Sequence, residues 1–312
     1  MKVAVTGSSG LIGTALTASL RADGHQVVRL VRRPPRADGE PAVSDKAISE
    51  VRWDPRAADA GDPPLSGVDA VVHLAGAGVG DHRWTASYKA EIRASRVVAT
   101  SALATAVAAA QPRPQAFITA SAIGWYGDTG GRDVTESTPA GKAFLSRVVH
   151  DWEAAADPAR AAGIRVAHLR SGLVLGAGGG MLGRLTLPAR LGVLPRFGDG
   201  HQVMSWIALT DEIRAIRFLL DEPGAESRTG PYNLTAPNPV TDAELTAALH
   251  ARFRRPDFPW LRVPAPLLKL ALGEMSSELL TSARVLPARL LEADFTFSYP
   301  TVGAALAAEL PR

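Results

Sequence analysis

Cysteine is absent from the 312 residues, which excludes disulfides, thiolate nucleophiles and cysteine-ligated metals. The seven histidines, His25, His73, His82, His150, His168, His201 and His250, never fall at helical ligand spacing, so no metal site is expected. Lysine is scarce. The basic charge is nearly all arginine, scattered along the chain, and it exceeds the acidic charge by only three. Without a basic stripe interleaved with aromatics, there is no nucleic-acid face to expect. No uncharged apolar run approaches the roughly 20 residues that span a bilayer. The start, "MKVAVTGSSG", opens into a strand pattern rather than a signal-peptide core. These absences lead to an expected cytoplasmic protein with a small-molecule substrate and no membrane partner, of a kind compatible with a homodimer.

What is present is an ordinary globular composition, 46% hydrophobic and 21% charged, long enough for one large domain or two smaller ones. Strand patterns at 2–6, 25–31, 50–53, 69–76, 115–121 and 164–172 alternate with helical patterns at 11–22, 85–110 and 141–162. That rhythm predicts an α/β, Rossmann-type doubly wound parallel sheet, in the strand order 3-2-1-4-5-6. Beyond Gly172 the rhythm breaks into Gly- and Pro-rich loops, with helices expected at 241–252, 264–273 and 276–292. The expected organisation is a nucleotide-binding domain over 1–236, its core at 1–175, and a smaller C-terminal substrate-side domain over 237–312. The second part would cap the carboxyl edge of the sheet.

Thr6 is followed by Gly7-Ser8-Ser9-Gly10-Leu11-Ile12-Gly13, three glycines spaced three apart between a strand and a helix. Gly7 suits a tight turn, Gly10 the approach of a pyrophosphate, and Gly13 close helix–strand packing. The helix N-terminus then offers free N–H groups to the anion. About 20 residues on, an NAD-binding strand would end in an acid. Here it ends Val31-Arg32-Arg33, which favours the 2′-phosphate of NADP over NAD. The alternative for these arginines is a solvated pair before a Pro-rich loop. Asp54 follows the third strand as an adenine contact or, equally, as part of a "WDP" turn.

Together with this loop, "HLAG", "SAIGWYG" and "LRSGLVLG" after successive strands resemble the extended short-chain dehydrogenase/reductases. "DWEAAA", "MSWIALTDEI", "YNLTAPNPVT" and "VLPARLLEADFTF" are similar to the atypical branch labelled epimerase family protein. The resemblance spans essentially the whole chain. It implies cofactor contacts from the glycine loop, from Val31 and Arg32, from Leu74, Ala75 and Gly76, and from Glu91, Arg96, Ser121 and Val174. It also implies a basic residue, Arg170, near the cleft. His201, Gln202, Ser205 and Trp206 in "GDGHQVMSW" match a substrate-side loop, with a turn around a core tryptophan as the alternative.

Working members of the family carry a Tyr four residues before a Lys on the helix after strand five, on one helical face. Tyr88, Tyr126, Tyr232 and Tyr299 are followed at that spacing by Ile92, Gly130, Ala236 and Gly303. The expected pair falls instead at Leu145 and Val149. Ser121 and Tyr126 are the remaining candidates for proton exchange, with His150 and Asp151 behind them. Two functions stay open: an NADP(H)-dependent oxidoreductase or epimerase-like enzyme with an unusual proton donor, and a catalytically silent NADPH-binding regulatory or scaffold protein. A strict sugar-nucleotide epimerase fits less well, since it needs the missing base most. An unactivated Tyr126 is expected to keep a pKa near the free value of about 10.

Overall fold

The computed structural model describes residues 1–35, 48–57, 61 and 63–310. At its centre lie seven parallel strands: β1 (Lys2–Thr6), β2 (Gln26–Val31), β3 (Ile48–Arg52), β4 (Ala70–His73), β5 (Ala116–Ala122), β6 (Arg165–Ser171) and β7 (Gly230–Leu234). Their order across the sheet is β3-β2-β1-β4-β5-β6-β7. The first six follow the expected order. The seventh, within "YNLTAPNPVT", is not marked in the sequence because Gly230, Pro231 and Asn233 interrupt its apolar run. Pro231 is tolerated there because β7 is an edge strand.

The helices that cover the sheet are α1 (Leu11–Ala22), α2 (Ala86–Ala109), α3 (Phe144–Ala154), α4 (Asp157–Ala161) and α6 (Leu209–Leu220), while α5 (Gly180–Leu191) packs on a short separate strand, Leu173–Leu175. Successive side chains of a strand point to opposite faces. Val3, Val5, Val72, Ile118 and Leu169 therefore pack with Leu16 and Leu20 of α1 and Ile216 of α6. Ala4, Val71, Phe117 and Val166 pack on the other face with Leu103 and Val107 of α2 and Ala159 of α4. Each large side chain so buried contributes about 1.5–3 kcal/mol. The single helix expected over 141–162 is two, because Pro158 has no N–H with which to continue α3.

The C-terminal part holds α7 (Asp242–Arg252), α8 (Ala265–Leu272), α9 (Ser276–Leu280), α10 (Ala288–Glu292) and α11 (Val302–Glu309). Helix α7 starts as expected, on a Thr241/Glu244 capping box. The stretch expected to form one helix over 276–292 is broken by the strand Arg284–Val285, paired with Asp133–Val134, and by Pro287. Helix α11 has no counterpart in the expectation, since its glycine and alanines carry little periodic signal. Together with α5 these elements reach the loop after β4 and the start of α2: Arg184 of α5 donates to Gly80 O at 2.7 Å, Arg83 to Leu270 O at 3.3 Å, and Lys89 to Glu274 at 2.6 Å. The carboxyl edge is thus capped from that side.

Candidate cofactor and substrate site

Strand β1 ends at Thr6, whose Oγ1 accepts from the Leu74 and Ala75 N–H groups at 3.1 and 3.3 Å. The same oxygen bonds the His73 ring at 2.7 Å. These bonds draw the ends of β1 and β4 together, and the chain turns there at Gly7, where φ is +65°. A Cβ at Gly7 would stand 2.7 Å from the Leu74 carbonyl carbon, and one at Gly13 only 2.2 Å from Gly7 O. Gly10 caps α1 without a side-chain bond, and the first turn carries no acid. The N–H groups of Leu11, Ile12 and Gly13 are therefore left without helical acceptors. Ser8 is buried and Ser9 exposed beside them. This cradle, too tight for a side chain and rich in unspent donors, fits a pyrophosphate.

At the end of β2, Val31 is half-buried and Arg32 exposed. Arg33 donates to Glu50 Oε1 at 2.7 Å and to Pro34 O at 2.9 Å. The two arginines are thus not equivalent, because β3 brings a carboxylate to one of them that the sequence of β2 alone does not reveal. Glu91 is held bidentately by Arg56 at 2.9 and 2.9 Å, which together with Arg32 keeps its carboxyl below the usual range. Asp54 closes a turn, accepting from Arg56 N at 3.1 Å through its side chain and from Ala57 N at 3.1 Å through its carbonyl. Both acids are engaged within the protein rather than presented to a cofactor. Arg96 lies against Gly76, whose Cβ would be 3.4 Å from the guanidinium carbon. It donates to Ile92 O and stacks over the Trp152 ring, and among the described residues no carboxylate pairs with it. Burial lowers its pKa to about 10, so at neutral pH it remains a cation.

At the carboxyl end of β5 the expected catalytic groups are closed into a buried network. Ser121 Oγ donates to Glu153 Oε1 at 2.6 Å. Arg170 grips the same carboxylate with two bonds, of 2.8 and 2.9 Å, and donates to the Tyr126 hydroxyl at 3.1 Å. Tyr126 in turn donates to Asn233 Oδ1 at 2.6 Å. The Arg170 guanidinium also lies 3.8 Å over the Trp125 ring. Burial alone would push Glu153 up, but Arg170 and Ser121 outweigh it and hold the carboxyl below its ordinary range. Burial pushes Tyr126 up to about 12, against the expectation of about 10. As folded, the Arg170 nitrogens are bonded to Glu153 and Tyr126, and the Ser121 and Tyr126 hydroxyls are buried against Glu153 and Asn233. Val174 lies in a short strand, Leu173–Leu175, paired with Trp206–Ala208.

Leu145 and Val149 occupy the place predicted for the missing pair. A Cβ at Gly124, just past β5, would be 3.3 Å from Leu145 Cβ and 3.8 Å from Val149 Cγ2. His150 is exposed and stacks on Trp125, while Asp151 pairs with Arg93 at 2.8 Å. Glu153 and Asn233 carry no role in the sequence reading although both sit in singled-out phrases. Glu153, four residues after Val149, shares that core-facing side of α3, and a buried acid there demands a cation.

In the proposed substrate loop, His201 is exposed. Gln202 Nε2 donates to Phe197 O and Leu279 O, though Gln202 also borders a cleft of about 510 Å³ with Asp199 and Arg262. Ser205 is stitched to Ala283 O and to the N–H of Val285, and the fully buried Trp206 donates to Asn238 O. Ser205 and Trp206 thus hold the fold, which is the core-tryptophan alternative. A second cleft, of about 600 Å³, lies between α3, α4 and the edge strand β7, with Trp125, Arg160, His168 and Pro231 among its walls. Among the described residues no group of His, Asp and Glu could hold a metal ion.

The family model described as NAD dependent epimerase/dehydratase family matches residues 3–235, and a domain of unknown function, DUF1731, matches 263–309. The chain is 43% identical over 305 residues to "Epimerase family protein Mb2239" of Mycobacterium bovis, covering 97% of this chain and 96% of that protein. It is 36% identical to "Epimerase family protein SDR39U1" of Bos taurus, covering 98% of each. Human epimerase family protein SDR39U1 (isoform 2), solved with NADPH, superposes with a TM-score of 0.86 at 32% identity over 99% of each chain. A UDP-glucuronic acid 4-epimerase from Bacillus cereus, solved with NAD, shares the fold, with a TM-score of 0.78 at 17% identity.

Proposed function

The chain belongs to the NAD-dependent epimerase/dehydratase family, and from that premise we propose that it is an NADP(H)-binding oxidoreductase that works without a tyrosine acid. The observation that carries the cofactor reading is Arg96, a half-buried cation without a carboxylate partner among the described residues, set beside Gly76 at the carboxyl edge. Arg32, exposed past β2, supplies the second charge. The N–H groups of Leu11, Ile12 and Gly13 would hold the pyrophosphate, Arg96 a phosphate oxygen and Arg32 the 2′-phosphate. A structural neighbour solved with NADPH supports the choice of cofactor. A bound NADPH supplies hydride.

What this chain adds at the end of β5 is an apolar pair, Leu145 and Val149 against Gly124, that would keep water from a cofactor ring bound there. Because Ser121 and Tyr126 are committed to Glu153 and Asn233, no side chain among the described residues is assigned to deliver the proton there. Such a site suits an acceptor that spreads the incoming negative charge over its own conjugated system and takes its proton from solvent. An epimerase in the strict sense must remove a proton from a sugar hydroxyl, and no base stands ready for it. The closed network also favours a second reading, a silent NADPH-binding regulatory or scaffold protein. Following NADPH oxidation against simple ketones, aldehydes and conjugated quinones separates the two. The proposal predicts turnover with the conjugated acceptors, unchanged in Tyr126→Phe. Tight NADPH binding with no turnover of any acceptor would transfer the function to the second reading.

A further inference from the structure

Nine large apolar side chains are exposed among the described residues, and six of them, Leu187, Leu191, Val193, Trp260, Leu267 and Leu270, fall in just two segments. Trp260 is 77% exposed and Leu270 74%. The fold joins these segments. Arg255 Nε donates to Arg190 O at 2.6 Å, Arg196 N to Leu261 O at 3.0 Å, and Arg196–Phe197 pairs with Arg262–Val263. Helices α5 and α8 both hold the loop after Gly78, through Arg184 on Gly80 O and Arg83 on Leu270 O. On α5 the exposed stripe reads Arg184, Leu187, Leu191, at helical spacing.

Charge decides what covers this face. In these two segments Arg254, Arg255, Arg262 and Lys269 have no carboxylate partner among the described residues, whereas Arg184 pairs with Asp81, Arg196 with Asp257, and Arg252 is bonded to Leu306 O and Leu310 O. Two copies of so basic a face repel one another, so the occupant is anionic. The six apolar side chains protrude, and none lines either cleft. Protruding, unconstrained leucines and a tryptophan beside arginines match a fluid interface rather than a preformed protein groove. We propose that this face docks on an anionic phospholipid surface, the leucines and Trp260 entering the boundary between headgroups and acyl chains and the arginines meeting lipid phosphates. No spanning helix is involved. The face exists only once the two distant segments are folded together, which is why no membrane partner is legible in the sequence.

Sedimentation of the full chain with vesicles tests this. Binding to phosphatidylcholine mixed in equal parts with phosphatidylglycerol should exceed binding to phosphatidylcholine alone by about tenfold or more, and should weaken steeply with salt. Leu187→Glu with Leu270→Glu should abolish it while the melting temperature stays that of the wild type. Arg254→Glu with Arg262→Glu should erase the preference for anionic lipid. Equal binding to both vesicles, or to neither, would overturn the proposal. So would capture of the chain by polyglutamate without vesicle binding, which would make the occupant an acidic protein. A concentration-dependent dimer dissolved by the Leu187→Glu and Leu270→Glu changes would instead make the face a contact between two copies.

Discussion

Glu212 shows how a single buried group writes itself into pH dependence. It lies on α6, wholly buried, with Ser171 Oγ donating to Oε1 at 2.6 Å and no partner for Oε2 among the described residues. Burial raises its pKa to about 8. The folded protein therefore keeps a proton that the unfolded chain releases near its ordinary carboxylate pKa. Its contribution is complete at acid pH and is lost as pH rises toward 8. Glu212→Gln keeps the acceptor for Ser171 and removes the titration. The variant should gain on the wild type by about 2–4 kcal/mol between pH 5 and pH 9. Thermal melts at both values check this, and an equal difference at the two would contradict it. The sequence shows Glu212 only as part of the phrase "MSWIALTDEI". Its burial depends on how α6 meets the sheet, which no local pattern records.

At the scale of elements, α3 carries the clearest departure from family chemistry. Its inward side places Leu145 and Val149 under the loop after β5 and Glu153 under Arg170. Arg170→Met would leave a carboxylate buried without its cation, at a cost of about 3–5 kcal/mol. Combining it with Glu153→Gln should recover a large part of that loss, because no charge is then stranded. Denaturant titration of the single and double variants reads the difference, and strict additivity would contradict the account of the network. The first six strands were legible as short apolar runs, and α1 and α2 as helical stretches closed by Asp23-Gly24 and by "QPRP". Strand β7, α11 and the break between α3 and α4 were not. The first two carry weak periodicity, and the third turns on one proline in an otherwise continuous helical pattern.

For the whole molecule, the glycine cradle and the family's architecture could be read from the sequence, whereas the state of most site residues could not. Gly13 is fixed by contact with Gly7 in the same βα unit and Gly7 by the left-handed turn that opens the loop, so their spacing reveals them. Arg33, Glu91, Ser121 and Arg170 acquire partners from other elements, and only the fold shows that these side chains are already occupied, whereas Asp54 is engaged in its own turn. Among the described residues that leaves Arg32 and Arg96 as the charges we propose for a dinucleotide at the carboxyl edge. The most direct measurement is a fluorescence titration of the wild type, Arg32→Asp, Arg33→Ala and Arg96→Met with NADPH and NADH. NADPH should bind the wild type at least about tenfold more tightly than NADH, the effect of one well-placed charged contact. Arg32→Asp should erase most of that preference, and Arg33→Ala should change it less. Arg96→Met should weaken both cofactors alike. Equal affinities of the wild type for NADPH and NADH would contradict the account.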